Sequence, residues 1–168
     1  KIMRAMTLKK REVTDKKVLG EILEECDVVR IGAVDEEGMF IVPVNFGYDF
    51  DTGEETTRLV LYFHGAADGR KPEAFALNPD VAVEMDCRHE LITGDYTCSY
   101  SYAYRSIMGK GRVSRITSDE EKQYALSRIM EHAAPDADLV FSREMLERTA
   151  VFRIDVVHFT GKERKKKG

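Results

Sequence analysis

The stretch Val60-Leu-Tyr-Phe-His-Gly-Ala-Ala-Asp-Gly-Arg-Lys71 holds the residues best placed to do chemistry. It opens as an alternating apolar run, with Leu59, Leu61 and Phe63 on one face and Val60, Tyr62 and His64 on the other, as in a β-strand. Small residues follow at Gly65-Ala-Ala-Asp-Gly69, and Arg70 and Lys71 then stand at the start of a short helix spanning Arg70–Leu77. The first N–H groups of a helix lack partners and its dipole is positive there. Strand, small turn and two cations therefore form an anion receptor. The spacing is neither a Walker A loop nor a dinucleotide fingerprint, which disfavours nucleoside triphosphates and NAD as its ligands. The plainer alternative is a surface turn with two solvated cations. His64 also has two readings. It is either a neutral imidazole that orients substrate or relays a proton, or a histidine that caps the strand through a backbone hydrogen bond.

The elements that must position this stretch are mostly strands. Residues 1–13 are basic, lack periodicity and read as an arm. Thr14 is the expected N-cap of a helix from Asp15 to about Cys26, where Leu19, Ile22, Leu23 and Cys26 form one apolar stripe. A strand over 28–34 turns at Asp35-Glu-Glu-Gly38 and returns over 39–50. Phe40, Val42, Val44, Phe46 and Tyr48 share one face of that return strand. The other face carries Pro43, Asn45 and Gly47, poor strand formers that suggest an edge, a bulge or a ligand against the backbone. Asn45 itself could bond such a ligand or merely cap a bulge.

Asn78-Pro79 stops the short helix, and Val81, Val83, Met85 and Cys87 alternate along the next strand. Residues 89–95 read as irregular. Tyr96, Tyr100, Tyr102 and Tyr104 suit a core, a dimer interface or stacking on a planar ligand. The strand continues to Val113, with Gly109 and Gly111 marking a bulge, a barrel corner or a close backbone neighbour. Ser118-Asp-Glu-Glu121 is a capping box for a helix to about His132. A shorter helix follows over 143–147 behind Ser142, and a final strand over 150–160. Six or so long strands joined by hairpins, with short helices and no βαβ rhythm, predict a mainly β, antiparallel sheet closing into a barrel. The 168 residues read as a single domain, with a basic tail at 162–168.

Composition narrows the function. Charged residues make up 33% of the chain and the formal net charge is -4, which argues against a nucleic-acid partner. No apolar run approaches a membrane helix and no signal peptide is visible. Cys26, Cys87 and Cys98 have no metal or disulfide spacing, so the expectation is reduced thiols in the cytoplasm. His89, His132 and His158 share no spacing with one another and read as solvated or structural.

Several motifs stand in one collinear order from Thr14 to Lys162: Val42-Pro-Val-Asn-Phe-Gly-Tyr48, Leu61-Tyr-Phe-His64, Gly69-Arg-Lys71, Cys98-Ser-Tyr-Ser101, Tyr104-Arg-Ser106, Arg153-Ile-Asp155 and Thr160-Gly-Lys162. Together they resemble the pyridoxamine 5'-phosphate oxidase-like FMN-binding split barrels, and within them the nitroimidazole-resistance branch. That resemblance implies a homodimer with two FMN molecules in clefts between the subunits. It implies that the flavin ring lies along Pro43, Val44 and Asn45, touches His64 and Gly65, and has its phosphate held by Arg70 and Lys71 behind Gly69. Tyr104, Arg105 and Ser106 join as cofactor contacts. Ser106 falls where oxidase members often carry a glutamine that reaches FMN from the second subunit. The chain departs from the oxidases in lacking their arginine on the strand of Pro43 and in having no tryptophan, which tells against pyridoxal-phosphate chemistry.

Two functional classes follow from the resemblance. One is an FMN-dependent reductase, with His64 catalytic, passing electrons from a nicotinamide donor to a small electron-poor substrate such as a nitroaromatic. The other is a non-catalytic module that stores or senses flavin or haem, in which His64 could serve as a haem ligand.

Overall fold

The chain joins its sheet almost at once. In the computed structural model, which describes residues 3–167, a 3-10 turn at Lys9–Arg11 leads into β1 (Glu12–Val13), paired with the far end of the last strand. The expected arm is thus tied to the sheet at its inner end. Helix α1 (Lys16–Glu25) follows, and its N-cap is Asp15 rather than Thr14, the carboxylate accepting from the Lys17 N–H at 2.9 Å. Its stripe of Leu19, Ile22 and Leu23 is buried. Burial of such side chains is worth about 1.5–3 kcal/mol each.

β2 (Val29–Asp35) and β3 (Gly38–Val44) form the first hairpin. The long return strand expected over 39–50 is broken: β3 ends at Val44, and β4 (Gly47–Asp51) begins after a corner at Asn45-Phe46. The two halves have different partners, β3 pairing with β2 and β4 with β5 (Arg58–Ala66). Helix α2 occupies Arg70–Leu77, as its flanking Gly69 and Asn78-Pro79 predict. β6 (Asp80–Ile92) takes in the first part of the stretch expected to be irregular, with a bulge between Cys87 and Glu90, and only residues 93–95 of it lie outside the strand. β7 (Ser101–Arg115), α3 (Asp119–Ala133), α4 (Arg143–Arg148) and β8 (Thr149–Arg164) complete the chain. β8 outlasts the expected final strand, so the basic tail begins only at Lys165.

Among the described residues eight strands form one sheet, antiparallel at every pairing, in the order β3-β2-β6-β7-β8-β5-β4, with β1 added beside β8. Mainly β, antiparallel architecture with short helices is as expected. The closure read from the strand pattern does not occur, whereas the split barrel implied by the resemblance does: β3 and β4 are both edges, so the barrel stays split at the corner that joins them. A main core inside the curl gathers Ile22, Leu23, Ile31, Phe46, Phe63 and Met85. A second, smaller core lies under α3 and α4, where Val60, Tyr62, Ile129 and Leu146 meet. β5 is shared by both layers, which explains why Leu59 to Phe63 is an unbroken apolar run, and the start of β8 is shared too, through Val151.

The seating of α3 fixes the corner. Gly47 has room only for hydrogen, because a Cβ there would overlap the backbone of Arg128 and Ile129. His132 Nδ1 donates to the Phe46 carbonyl at 2.7 Å. The Asp49 carboxylate accepts from Tyr62 and Tyr124 hydroxyls, both at 2.8 Å, and pairs with Arg128 at 3.0 Å.

Candidate functional site

β5 loses its cover at His64, and the small residues that follow let the chain swing into α2. Gly69, the residue before the helix, has φ +113°, a conformation that L side chains rarely adopt. Lys71 folds back over the strand end. Its Nζ lies 3.4 Å from where a Cβ on Gly65 would stand, so a side chain at Gly65 would crowd the ammonium. Among the described residues no carboxylate pairs with Lys71. Arg115 joins the same turn, its guanidinium donating to the Ala67 carbonyl at 3.3 Å.

Arg70 is held differently from the sequence expectation. It does not stand free beside Lys71 but makes a two-point ion pair with Asp35, Nε to Oδ2 at 2.6 Å and Nη2 to Oδ1 at 2.9 Å. Glu37 approaches its Nη1 at 3.5 Å, and the guanidinium lies 4.3 Å from the centre of the Phe40 ring. The Arg70 guanidinium holds Asp35 below the usual carboxylate range. Asp35 was legible only as a turn residue. The acidic Asp35-Glu-Glu37 turn was the available signal that a cation would be drawn to it.

β3 runs from Phe40, beneath Arg70, to the corner at Asn45 with one edge unpaired. Pro43 is exposed on that edge strand and Val44 is half-buried. Asn45 spends its amide on the corner, Nδ2 donating to the Asp27 carbonyl at 2.9 Å. The β4–β5 register sets Gly47 opposite Tyr62. Asn45 lies two residues before Gly47, on the side of the corner toward the end of β5.

His64 shares the Val60/Tyr62 face of β5, opposite to Gly65 and Lys71. It opens into a recess of about 240 Å³ whose walls include Leu126, Met130, Phe141 and Met145. No local pattern pointed to these walls, because they come from α3, α4 and the loop between them.

The β7 group divides in two. Arg105 turns inward, its side chain only 12% exposed, and pairs with Glu21 at 2.8 Å and with Glu163. Two carboxylates thus occupy a group expected at the cofactor, and they make Arg105 a tie between α1, β7 and β8. Ser106 is buried and Tyr104 half-buried on the opposite, outward face. Neither lies beside Lys71 within one chain. Tyr96, Tyr100 and Tyr102 are exposed rather than core.

Residues 15–163 match the family described as pyridoxamine 5'-phosphate oxidase. The chain is similar to the crystal structure of a Bacteroides thetaiotaomicron VPI-5482 protein provisionally assigned to 5-nitroimidazole antibiotic resistance. Identity there is 31% and the TM-score 0.77, over 90% of this chain and 86% of that one. It also shares its fold with the flavocytochrome Anf3 of Azotobacter vinelandii, at 18% identity and TM-score 0.77 over 96% of this chain and 73% of that one. A FAD and heme binding protein of Mycobacterium smegmatis gives 18% and 0.74, over 92% and 74%. No curated protein sequence matches the chain.

Proposed function

Since the chain belongs to the pyridoxamine 5'-phosphate oxidase family, we propose that it is an FMN-dependent reductase of small electron-poor substrates such as nitroaromatics. It works as a homodimer whose cofactor clefts are completed by the second chain. The observation that carries this reading is the α2 N-terminus with Lys71 folded over Gly65, beside Phe40 of the edge strand β3. A phosphate dianion suits the donor set there: unpartnered helix N–H groups, the Lys71 ammonium and the Arg115 guanidinium. From Phe40 to Val44 the edge strand extends roughly 13 Å, presenting backbone N–H and C=O groups at alternate residues to a planar ring. Pro43 contributes no donor there.

FMN supplies two-electron redox chemistry when bound. The protein's own share is position and charge. Lys71 and the helix terminus hold the phosphate, while Arg70 acts at one remove by anchoring α2 to the β2–β3 turn. His64, at the end of β5, holds or delivers a proton beside the substrate. A nicotinamide nucleotide is the electron donor in this reading. The outward face of the sheet supports dimerisation: Met39, Ile41 and Met108 are 88%, 69% and 59% exposed, and apolar side chains so displayed mark an interaction surface.

Purification followed by absorption spectroscopy and a nicotinamide-driven nitroaromatic assay tests the proposal. A flavin spectrum released as FMN, with turnover, is expected. A Soret band would favour the haem module suggested by the flavocytochrome fold, and a flavin that never turns over would leave a storage role.

A further inference from the structure

We propose that the recess beyond His64 is the substrate pocket of this reductase and that it takes a small neutral aromatic ring bearing a hydrogen-bond acceptor. The reaction assigned to the pocket rests on the reductase reading; its binding chemistry rests on the walls. Leu126, Met130, Phe141 and Met145 offer apolar surface, which favours a ring over water. The two thioethers add contacts that sulfur makes at an aromatic edge. A cavity of roughly 150 Å³ lined by Leu, Ile and Phe accepts benzene. At about 240 Å³ this recess has room for one ring and a short substituent.

Two polar groups select among such rings. His64 lines the recess from the end of β5, so an acceptor bonded to its imidazole is held at that side of the pocket. Asp138 also lines the recess, and its carboxylate disfavours a ligand that carries its own negative charge. The pocket therefore prefers a neutral nitroaromatic to a carboxylated one of equal size.

Methionine methyl NMR reads this directly in the parent protein. Signals of 13C-methyl methionine are assigned with Met130→Leu and Met145→Leu, then followed during titration with 4-nitrobenzyl alcohol and with 4-nitrobenzoate, each with and without FMN. The Met130 and Met145 signals are expected to move and saturate with the alcohol in both states. Those of Met39 and Met108, on the outward face of the sheet away from the recess, should stay in place. The benzoate should bind at least about tenfold more weakly, and Asp138→Asn should remove most of that difference.

Signals at 130 and 145 that move no more than those at 39 and 108 would overturn the pocket, and so would equal binding of the two probes. The arm without FMN reads the recess alone. Ring binding there by a protein that takes up no FMN would sink the flavin reading and leave the binding chemistry standing.

Discussion

Arg70 at the start of α2 and Asp35 at the end of β2 close a fork of two hydrogen bonds, 2.6 and 2.9 Å long. The pair clamps the first turn of α2 to the β2–β3 hairpin, with Phe40 as a floor beneath the guanidinium. It holds the Asp35 carboxyl below its ordinary range. A depressed folded-state value contributes stability above the unfolded value, which for Asp is about 3.9. That contribution is lost as the pH falls through the lowered folded value. Asp35→Asn should therefore melt earlier than the parent at neutral pH, and the gap should narrow as the pH drops below about 4. Thermal melts of both proteins across that range check it. A constant gap would mean that the pair contributes packing and not charge.

The Asp49 carboxylate is the matching tie for α3, because it accepts from Tyr62 and Tyr124 and pairs with Arg128. Burial, together with the bond to Asp49, pushes the Tyr62 phenol well above its usual range, so that hydroxyl remains a donor. Asp49→Ala leaves a buried donor without a partner, a loss of about 1–3 kcal/mol. Denaturant midpoints should fall accordingly, and Tyr62→Phe in the same background should recover part of the loss. An unchanged midpoint would show that water replaces the carboxylate.

Much of this arrangement was legible from residue order. Gly69 and Asn78-Pro79 punctuate α2 so clearly that its bounds follow from sequence, and Ser118 caps α3, accepting from the Glu121 N–H at 3.2 Å. The break at Asn45-Phe46 was not legible. Phe40 to Tyr48 keep one uninterrupted alternation, and the corner arises only because the two halves pair with different strands. The true state of Arg70 was hidden for a related reason. A helix terminus announces a site for anions, but nothing local says whether a carboxylate of the same chain already stands there. The recess beyond His64 lies further still from local pattern, since Leu126, Phe141 and Met145 meet only through the seating of α3 on β5 and of α4 on β8.

His64→Ala should keep the fold and most of the FMN affinity, since the side chain leaves β5 on the face opposite to Gly65 and Lys71. Its loss should fall on nitroaromatic reduction, where a positioned acid or base is typically worth about 100- to 10,000-fold. Steady-state kinetics on the flavin-loaded protein decide the matter. Turnover equal to the parent's would reduce this histidine to packing.

The outward face of the sheet predicts association. Met39, Ile41 and Met108 share it with the exposed Tyr102. A specific interface of standard size removes about 800 Å² from each partner. Light scattering should give twice the chain mass, and Ile41→Glu with Met108→Glu should halve it. A parent that is monomeric across dilutions would remove the shared cleft.

The two cations at α2 should separate in their effects on flavin binding. Lys71 has no carboxylate partner among the described residues and lies over Gly65, whereas Arg70 is already neutralised by Asp35. FMN and riboflavin differ only in the phosphate, so a phosphate contact must appear in the difference between them. A charge-assisted hydrogen bond contributes about 1.5–3 kcal/mol, or roughly 10- to 100-fold in affinity. Lys71→Ala should weaken FMN by that factor, leave riboflavin nearly unchanged and flatten the salt dependence of FMN binding. Arg70→Ala should lower the melting temperature and weaken both flavins alike, because what it loses first is the anchor of α2. Calorimetry with both ligands on both variants reads the pattern. Equal losses for the two flavins in Lys71→Ala would assign that lysine to the fold, and no loss at all would place the phosphate elsewhere.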